Sequence, residues 1–263
     1  MFLEKFVKSN KKNLLIRKMI IVAVWLVIWQ AASMITGLEL LFPGPVTVFF
    51  TLFEMVRTVE YYKILFHSLS KIGLGFGIAF VGGLLAGGLA GICRLVKEFL
   101  EPVLLLMKSL PVAAFIILVL IWFGSENAAV IISFMVVFPM IYHAAAEGII
   151  TTDKKLLEMA EVFDISFSKR LRYIYAPQIY LFLVSGLKTA AGMCWKAGIS
   201  AEVIGLVKQS VGAQLYYAKL YLMTAELFAW SITIMVLSFI VEKLLLKGLE
   251  LLYRVLCGSS RKE

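Results

Sequence analysis

Six stretches of mostly apolar residues, each about as long as the roughly 20 needed to cross a 30 Å hydrocarbon core as a helix, leave this chain few places to fold except inside a membrane. They are Met19 to Ile35, Ile72 to Cys93, a kinked one from Pro102 to Phe123, Ala128 to Ala146, Ile179 to about Val207, and Leu227 to about Leu246. Hydrophobic residues make up 61% of the chain and charged ones 16%, outside the roughly 45–50% and 25% of soluble domains. Disordered, collagen-like and secreted disulfide-rich classes are excluded, as is the alternating ten-residue pattern of a barrel. The expected fold is all-α, a polytopic membrane protein with six transmembrane helices. Residues 1–18 form a basic cytoplasmic amino terminus and 19–263 a single transmembrane domain.

Charge supplies the orientation. The chain has 26 Lys and Arg against 17 Asp and Glu, a net +9, and this excess reads as topology rather than as a nucleic-acid surface. With the amino terminus inside, inner segments collect Lys5, Lys8, Lys11, Lys12, Arg17 and Lys18, then Arg94 and Lys97, five between the fourth and fifth spans, and five from Lys243 onward. Outer loops hold only Arg57, Lys63, Lys208 and Lys219. Both termini are therefore expected in the cytoplasm. The first span is too long for a signal peptide and its Gln30 to Gly37 stretch a poor cleavage site, so it reads as an uncleaved helix. Cys93, Cys194 and Cys257 have no metal-ligand or redox spacing and read as small hydrophobes.

The second span is rich in glycine, with Gly83, Gly87 and Gly91 at four-residue spacing beside Gly73, Gly75, Gly77, Gly82 and Gly88. Small residues on one face let helix backbones approach, within the bundle or at a sliding or subunit contact. Pro43-Gly44-Pro45 marks a turn, followed by a short interfacial helix over Val46 to Val56. Pro111 interrupts the third span with Lys108 one turn before it; broken helices are tolerated in membranes where they face protein or water, which hints at a pathway.

The stretch from Gly148 to Gln178 is too polar to span. Leu156, Met159, Ala160, Phe163 and Phe167 recur at helical spacing, Asp153 suits an N-cap, and Pro177 closes the segment where the next span begins. This predicts a short amphipathic helix, a turn near Asp164, a second basic helix and re-entry. On physical grounds the amphipathic helix lies on the membrane surface, with Lys169, Arg170 and Arg172 against headgroups, or docks into a partner's groove.

The same stretch resembles the signature of permease subunits of binding-protein-dependent ABC importers: Glu-Ala-Ala, three residues, Gly, nine residues, Ile, one residue, Leu-Pro. Glu158, Met159 and Ala160 stand in the first three places, Asp164 in the glycine place, Ile174 in the isoleucine place and Ala176-Pro177 at the end. Met159, Asp164 and Ala176 depart from the pattern while the spacing holds; Asp adopts a left-handed turn less readily than Gly. His67-Ser68-Leu69, Lys108 to Pro111, Ile121-Trp122-Phe123-Gly124, Phe138-Pro139, Gly186-Leu187-Lys188, and Trp195 followed by Ala201-Glu202 extend the likeness, which is greatest to the nitrate, sulfonate and taurine branch.

The resemblance implies the type I importer permease fold, half of a translocation pore completed by a second copy as a homodimer. Two separate cytoplasmic ATPase subunits would receive loop 148–178 as a coupling helix and would hold ATP and Mg, and an external solute-binding protein would deliver cargo in a bacterial cytoplasmic membrane. Glu158 would brace the loop, Ala160 permit close approach, and Phe163 or Phe167 fill an apolar pocket; the plainer alternative leaves Glu158 solvated and paired with Lys154 or Lys155. Independently, the chain has no GxxxxGK[ST] phosphate loop, and no catalytic motif, metal-ligand set or bound cofactor is expected of it.

Charges inside the fifth span are costly, about 2.5–3.5 kcal/mol each at a helix centre, and so face the bundle interior, a partner or water. Lys196 and Glu202 are six residues apart, about 240° around the helix, and serve separate surroundings. Lys196, Trp195, Glu202, Lys108 and Pro111 are the candidate pathway residues; Lys196 also suits pairing with another helix or snorkelling, and Glu202, near the outer end, suits a structural pair or gate contact more than substrate binding. Lys188 and Lys108 also suit snorkelling, Trp195 and Trp122 suit packing or an aromatic belt, and His143 suits packing. A self-contained secondary transporter or channel is the rival class, with Glu202 its only clear carboxylate in a central span. Nitrate, sulfonates, taurine or a small vitamin precursor all remain open as cargo, Lys196 leaning toward an anion.

Overall fold

The computed structural model describes residues 2–257, with side chains from Ile16 on and Leu256 excepted. Lys5, Lys8, Lys11 and Lys12 of the amino-terminal basic cluster, and Arg261 and Lys262 at the other end, lie outside the described side chains. Eleven α-helices and one π turn, with no strand among the described residues, form two compact units. One unit comprises residues up to Tyr61 with Leu215–Ser231, the other Tyr62–Gln214 and the chain from Ile232 onward.

In the first unit, helix α1 (Phe2–Thr36) continues the first apolar segment back through the basic stretch. The turn at Pro43-Gly44-Pro45 is pinned to it: Trp29 Nε1 donates to the Pro43 carbonyl at 3.1 Å and Ser33 Oγ to that of Phe42 at 2.8 Å. Helix α2 (Pro45–Val56) then begins with proline in its first turn, where the missing N–H costs nothing. Its exposed Val46, Phe49, Phe50 and Phe53 suit an interfacial apolar face.

The second unit is built on α3 (Val59–Ile92), α6 (Ala128–Ile150) and α9 (Ala176–Gly205); α3 begins well before its expected apolar segment, while α6 and α9 lie close to theirs. The glycines of α3 divide into two sets. A Cβ at Gly75 would strike the Val130 carbonyl, one at Gly87 the Tyr142 carbonyl, and one at Gly91 would lie 2.7 Å from Ile149. Gly73, Gly77 and Gly88 have nothing within 4 Å. The first set brings α3 against α6, where close packing replaces the missing hydrophobic drive. Across α6, Gly186 of α9 would place a Cβ 2.9 Å from Ala144, and Gly148 of α6 one 2.6 Å from the Ile179 backbone.

Helices α1, α3, α6 and α11 (Thr224–Cys257) are each long and apolar enough to cross a membrane. Helix α9 is longer than a crossing requires, but Lys188, Lys196 and Glu202 dilute its apolar character. The third expected span is broken at Pro111 as its sequence predicts, but it starts earlier and bends more sharply than a kink. Instead of a kinked helix over Pro102 to Phe123, the chain forms α4 (Arg94–Ser109) and α5 (Val112–Phe123), bent by 105°. Proline disfavours the helical region for the residue before it, and Leu110 is extended at ψ 136°, so the helix stops there and Pro111 opens the next. Pro102, by contrast, lies within α4.

Candidate functional site

Loop 148–178 folds around one short helix. Helix α7 (Lys154–Val162) starts where the Asp153 side chain accepts the Lys155 N–H at 2.9 Å, the expected cap. It ends where Asp164 turns left-handed at φ 52°, so that the Ile165 N–H reaches the Ala160 carbonyl at 2.9 Å and the Asp164 N–H that of Glu161 at 3.1 Å. This pair of bonds is the Schellman arrangement, with Asp164 where glycine is usual. A left-handed L-residue costs about 1–2 kcal/mol, and Asp carries it better than most.

The apolar face of α7 is not consumed internally. Ala160 is fully buried, but Leu156, Met159, Val162 and Phe163 are exposed, the last two by 81% and 73%. Burying such side chains is worth about 1.5–3 kcal/mol each, and the chain itself leaves that stabilisation unused on this face. Glu158 is exposed and forms no ion pair with Lys154 or Lys155; among the described residues ion pairs join only Arg94 to Glu98 and Arg254 to Glu250. Of the plainer reading, the exposure of Glu158 to solvent holds while its pairing with a lysine does not.

Two further expectations are corrected. Phe167 does not extend the α7 face, because the turn at Asp164 intervenes; it opens α8 (Phe167–Arg170) and lines an apolar cavity of about 410 Å³ with Leu171, Tyr180 and Leu252. Nor does Pro177 mark a break between a second helix and the next span. Helix α8 runs into a π turn over Leu171–Tyr175, containing the half-buried Ile174, and on into α9. Proline lacks an N–H and clashes with the carbonyl four residues back, and the wider π turn immediately before it, closed by the Ala176 N–H on the Leu171 carbonyl, makes room.

Arg170 went unremarked in the sequence except as a headgroup contact. Its Nε donates to the Ile165 carbonyl at 2.7 Å and its Nη2 to that of Ala160 at 3.0 Å, so one guanidinium holds both sides of the Asp164 turn. Only the bent return of α8 brings it there, which no local pattern announces.

The intramembrane candidates do not converge on one place. On α9, Lys196 is exposed on a stripe with Ser185, Lys188, Thr189 and Ser200, within about 120° of the helix circumference. Trp195 is buried and off that stripe. Glu202 is fully buried; its Oε2 accepts the Ser68 hydroxyl of α3 at 2.8 Å and the Gly212 N–H at 3.1 Å, while Ser68 Oγ accepts the Val211 N–H at 2.9 Å. These two N–H groups open α10 (Val211–Leu220), so a carboxyl from another helix caps it, at the end a helix dipole favours for negative charge. A Cβ at Gly212 would collide with that of Glu202. Lys108 lies elsewhere, in a cavity of about 210 Å³ with Lys97, Glu101, His143 and Glu147, and His143 meets Tyr142 edge-on at 5.2 Å. Pro111 stands at the 105° bend. Lys196 and Glu202 thus occupy separate surroundings, as their spacing requires.

The amino-acid sequence that forms these elements matches that of known transport proteins. Residues 79–249 match the family described as binding-protein-dependent transport system inner membrane component. A Bacillus subtilis protein named as an aliphatic sulfonates transport permease, SsuC, is 28% identical over 212 residues, 80% of this chain and 75% of its own length. The nitrate import permease NrtB of Synechococcus elongatus is 26% identical over 212 residues (76% and 75%), and the bicarbonate transport permease CmpB of the same species 28% over 195 (68% of each). The family match sets aside a self-contained secondary transporter. The chain belongs to the binding-protein-dependent transport system inner membrane components, and it is a multi-pass inner-membrane permease subunit of an ABC importer.

Proposed function

We propose that this permease imports a small oxyanion, of the sulfonate, nitrate or bicarbonate kind, along a path lined by the Lys188 and Lys196 face of α9. The observation that carries the reading is the exposed stripe of Ser185, Lys188, Thr189, Lys196 and Ser200 on a helix long enough to cross the bilayer. Two ammonium groups and three hydroxyls do not face lipid at low cost, and they suit a hydrated passage for anions. The names of the three relatives, each for an anion carrier, lean the same way.

In this reading a second copy of the chain closes the path opposite α9, as a homodimer. Two separate cytoplasmic ATPase subunits hold ATP and Mg and receive α7, with Phe163 and Met159 entering an apolar groove and Glu158 bracing the contact. An external binding protein delivers the anion, and both termini lie in the cytoplasm. ATP binding moves the two α7 helices and reverses the side to which the path opens, the bistable element that alternating access needs. The test is uptake of labelled methanesulfonate, nitrate and bicarbonate by vesicles holding the whole importer. One of the three should be carried, and Lys196→Met should cut its uptake about tenfold while ATP hydrolysis continues. Unchanged uptake in Lys196→Met removes the α9 face from the path.

A further inference from the structure

We propose that Arg170 is the positioning residue that makes α7 and the turn after it one stiff piece, so that motion of a docked partner reaches the membrane helices; this rests on the coupling role given to α7 above. Helix α7 has only nine residues, too few to hold its shape unaided. Inside the chain it buries Ala160 alone among its residues, and it makes no ion pair. Its exit runs through Asp164, in a left-handed conformation that glycine would take without strain.

What fastens this exit is Arg170. The planar guanidinium holds two carbonyls at fixed spacing, that of Ala160 inside α7 and that of Ile165 past the turn, at 3.0 and 2.7 Å. The Ala160 carbonyl is also the acceptor of the turn's own Ile165 N–H bond, so the arginine secures the contact on which the left-handed geometry depends. A lysine ammonium is a single point and does not span both carbonyls in this fork-like way. Without the clamp, α7 still offers Leu156, Met159 and Phe163 to a partner, but it pivots at Asp164 and dissipates the motion.

The experiment uses the whole importer in lipid nanodiscs, with Cys93 and Cys257 replaced by serine and a reporter Ser200→Cys on the exposed α9 face. ATP hydrolysis and the ATP-dependent change in labelling of that cysteine by an impermeant maleimide are measured together. In Arg170→Ala the ATPase subunit should co-purify and hydrolyse ATP as before, while the ATP-dependent change in labelling falls about fivefold or more. Adding Asp164→Gly to Arg170→Ala should restore most of it, because glycine holds the turn without the clamp. Arg170→Lys should behave as Arg170→Ala does, and it carries the test if the alanine variant does not assemble. Normal labelling response in Arg170→Lys, or no recovery by Asp164→Gly in an intact complex, overturns the proposal. A wild-type complex whose labelling ignores ATP overturns the permease mechanism itself, a separate outcome.

Discussion

The α3–α6–α9 core and the α7 loop are held by opposite means. In the core, backbone meets backbone: Gly75, Gly87 and Gly91 leave no room for a methyl group, and Glu202 is sealed with Ser68 and the start of α10. In the loop a cap at Asp153 and a clamp at Arg170 hold a helix whose large apolar side chains stay outside. A membrane removes the usual reward for burying apolar groups, so the core relies on shape and hydrogen bonding. The loop helix leaves its large apolar side chains uncovered, so whatever that reward is worth there is not realised within the chain.

The sharpest way to break this contrast is at the glycines. Gly87→Leu should abolish recovery of folded protein, since its side chain would enter the Tyr142 carbonyl and overpacking alone costs about 1–3 kcal/mol or more. Gly88→Leu, the next residue, meets nothing within 4 Å and should be recovered normally by size-exclusion chromatography. Equal behaviour of the pair would show that α3 does not pack on α6 through this face.

A smaller effect is expected at Glu202. Replacing it by alanine leaves the Gly212 N–H and the Ser68 hydroxyl without their acceptor, at about 1–3 kcal/mol for each buried group left unpaired. At about 2–4 °C per kcal/mol, thermal unfolding in detergent should drop by several degrees, and less for Glu202→Gln, which keeps an acceptor. The smallest change in stability belongs to the loop: Phe163→Ser should leave unfolding within about 0.5 kcal/mol of the wild type and yet lower the amount of ATPase subunit that co-purifies. A destabilisation like that of Glu202→Ala would mean that Phe163 serves the fold and not a partner.

Much of this architecture is legible in the sequence because its signals are local. Apolar length marks α1, α3, α6 and α11, the Asp153 cap and helical spacing mark α7, and the place of Asp164 marks a turn. What is not legible depends on residues far apart. Ser68 and Glu202 are 134 positions apart, so the sequence suggests a structural pair or gate contact for Glu202 without naming its partners. Pro111 announces an interruption but not its 105° angle, at which Leu104 of α4 packs with Tyr142 and Ala146 while Ile116 and Val119 of α5 pack with Ala128, Ile132 and Ala197. Pro177 misleads for the reverse reason, since a π turn next to it lets a breaker residue sit inside a continuous helical path.

That continuity has a mechanical side. From Phe167 through the π turn to Gly205 the chain is one unbroken helical run, and α9 alone, at 30 residues, is about 45 Å long. A rod of that length pivoting near one end works as a lever: a tilt of about 5° at the Arg170 end displaces the Glu202 end by about 4 Å. That is about three quarters of the 5.4 Å rise of a helical turn, and because Glu202 is bonded to Ser68 and Gly212, those residues move with it. A nudge at the foot of α9 thus becomes a stride at its head, and the polar stripe between them sweeps through a graded arc.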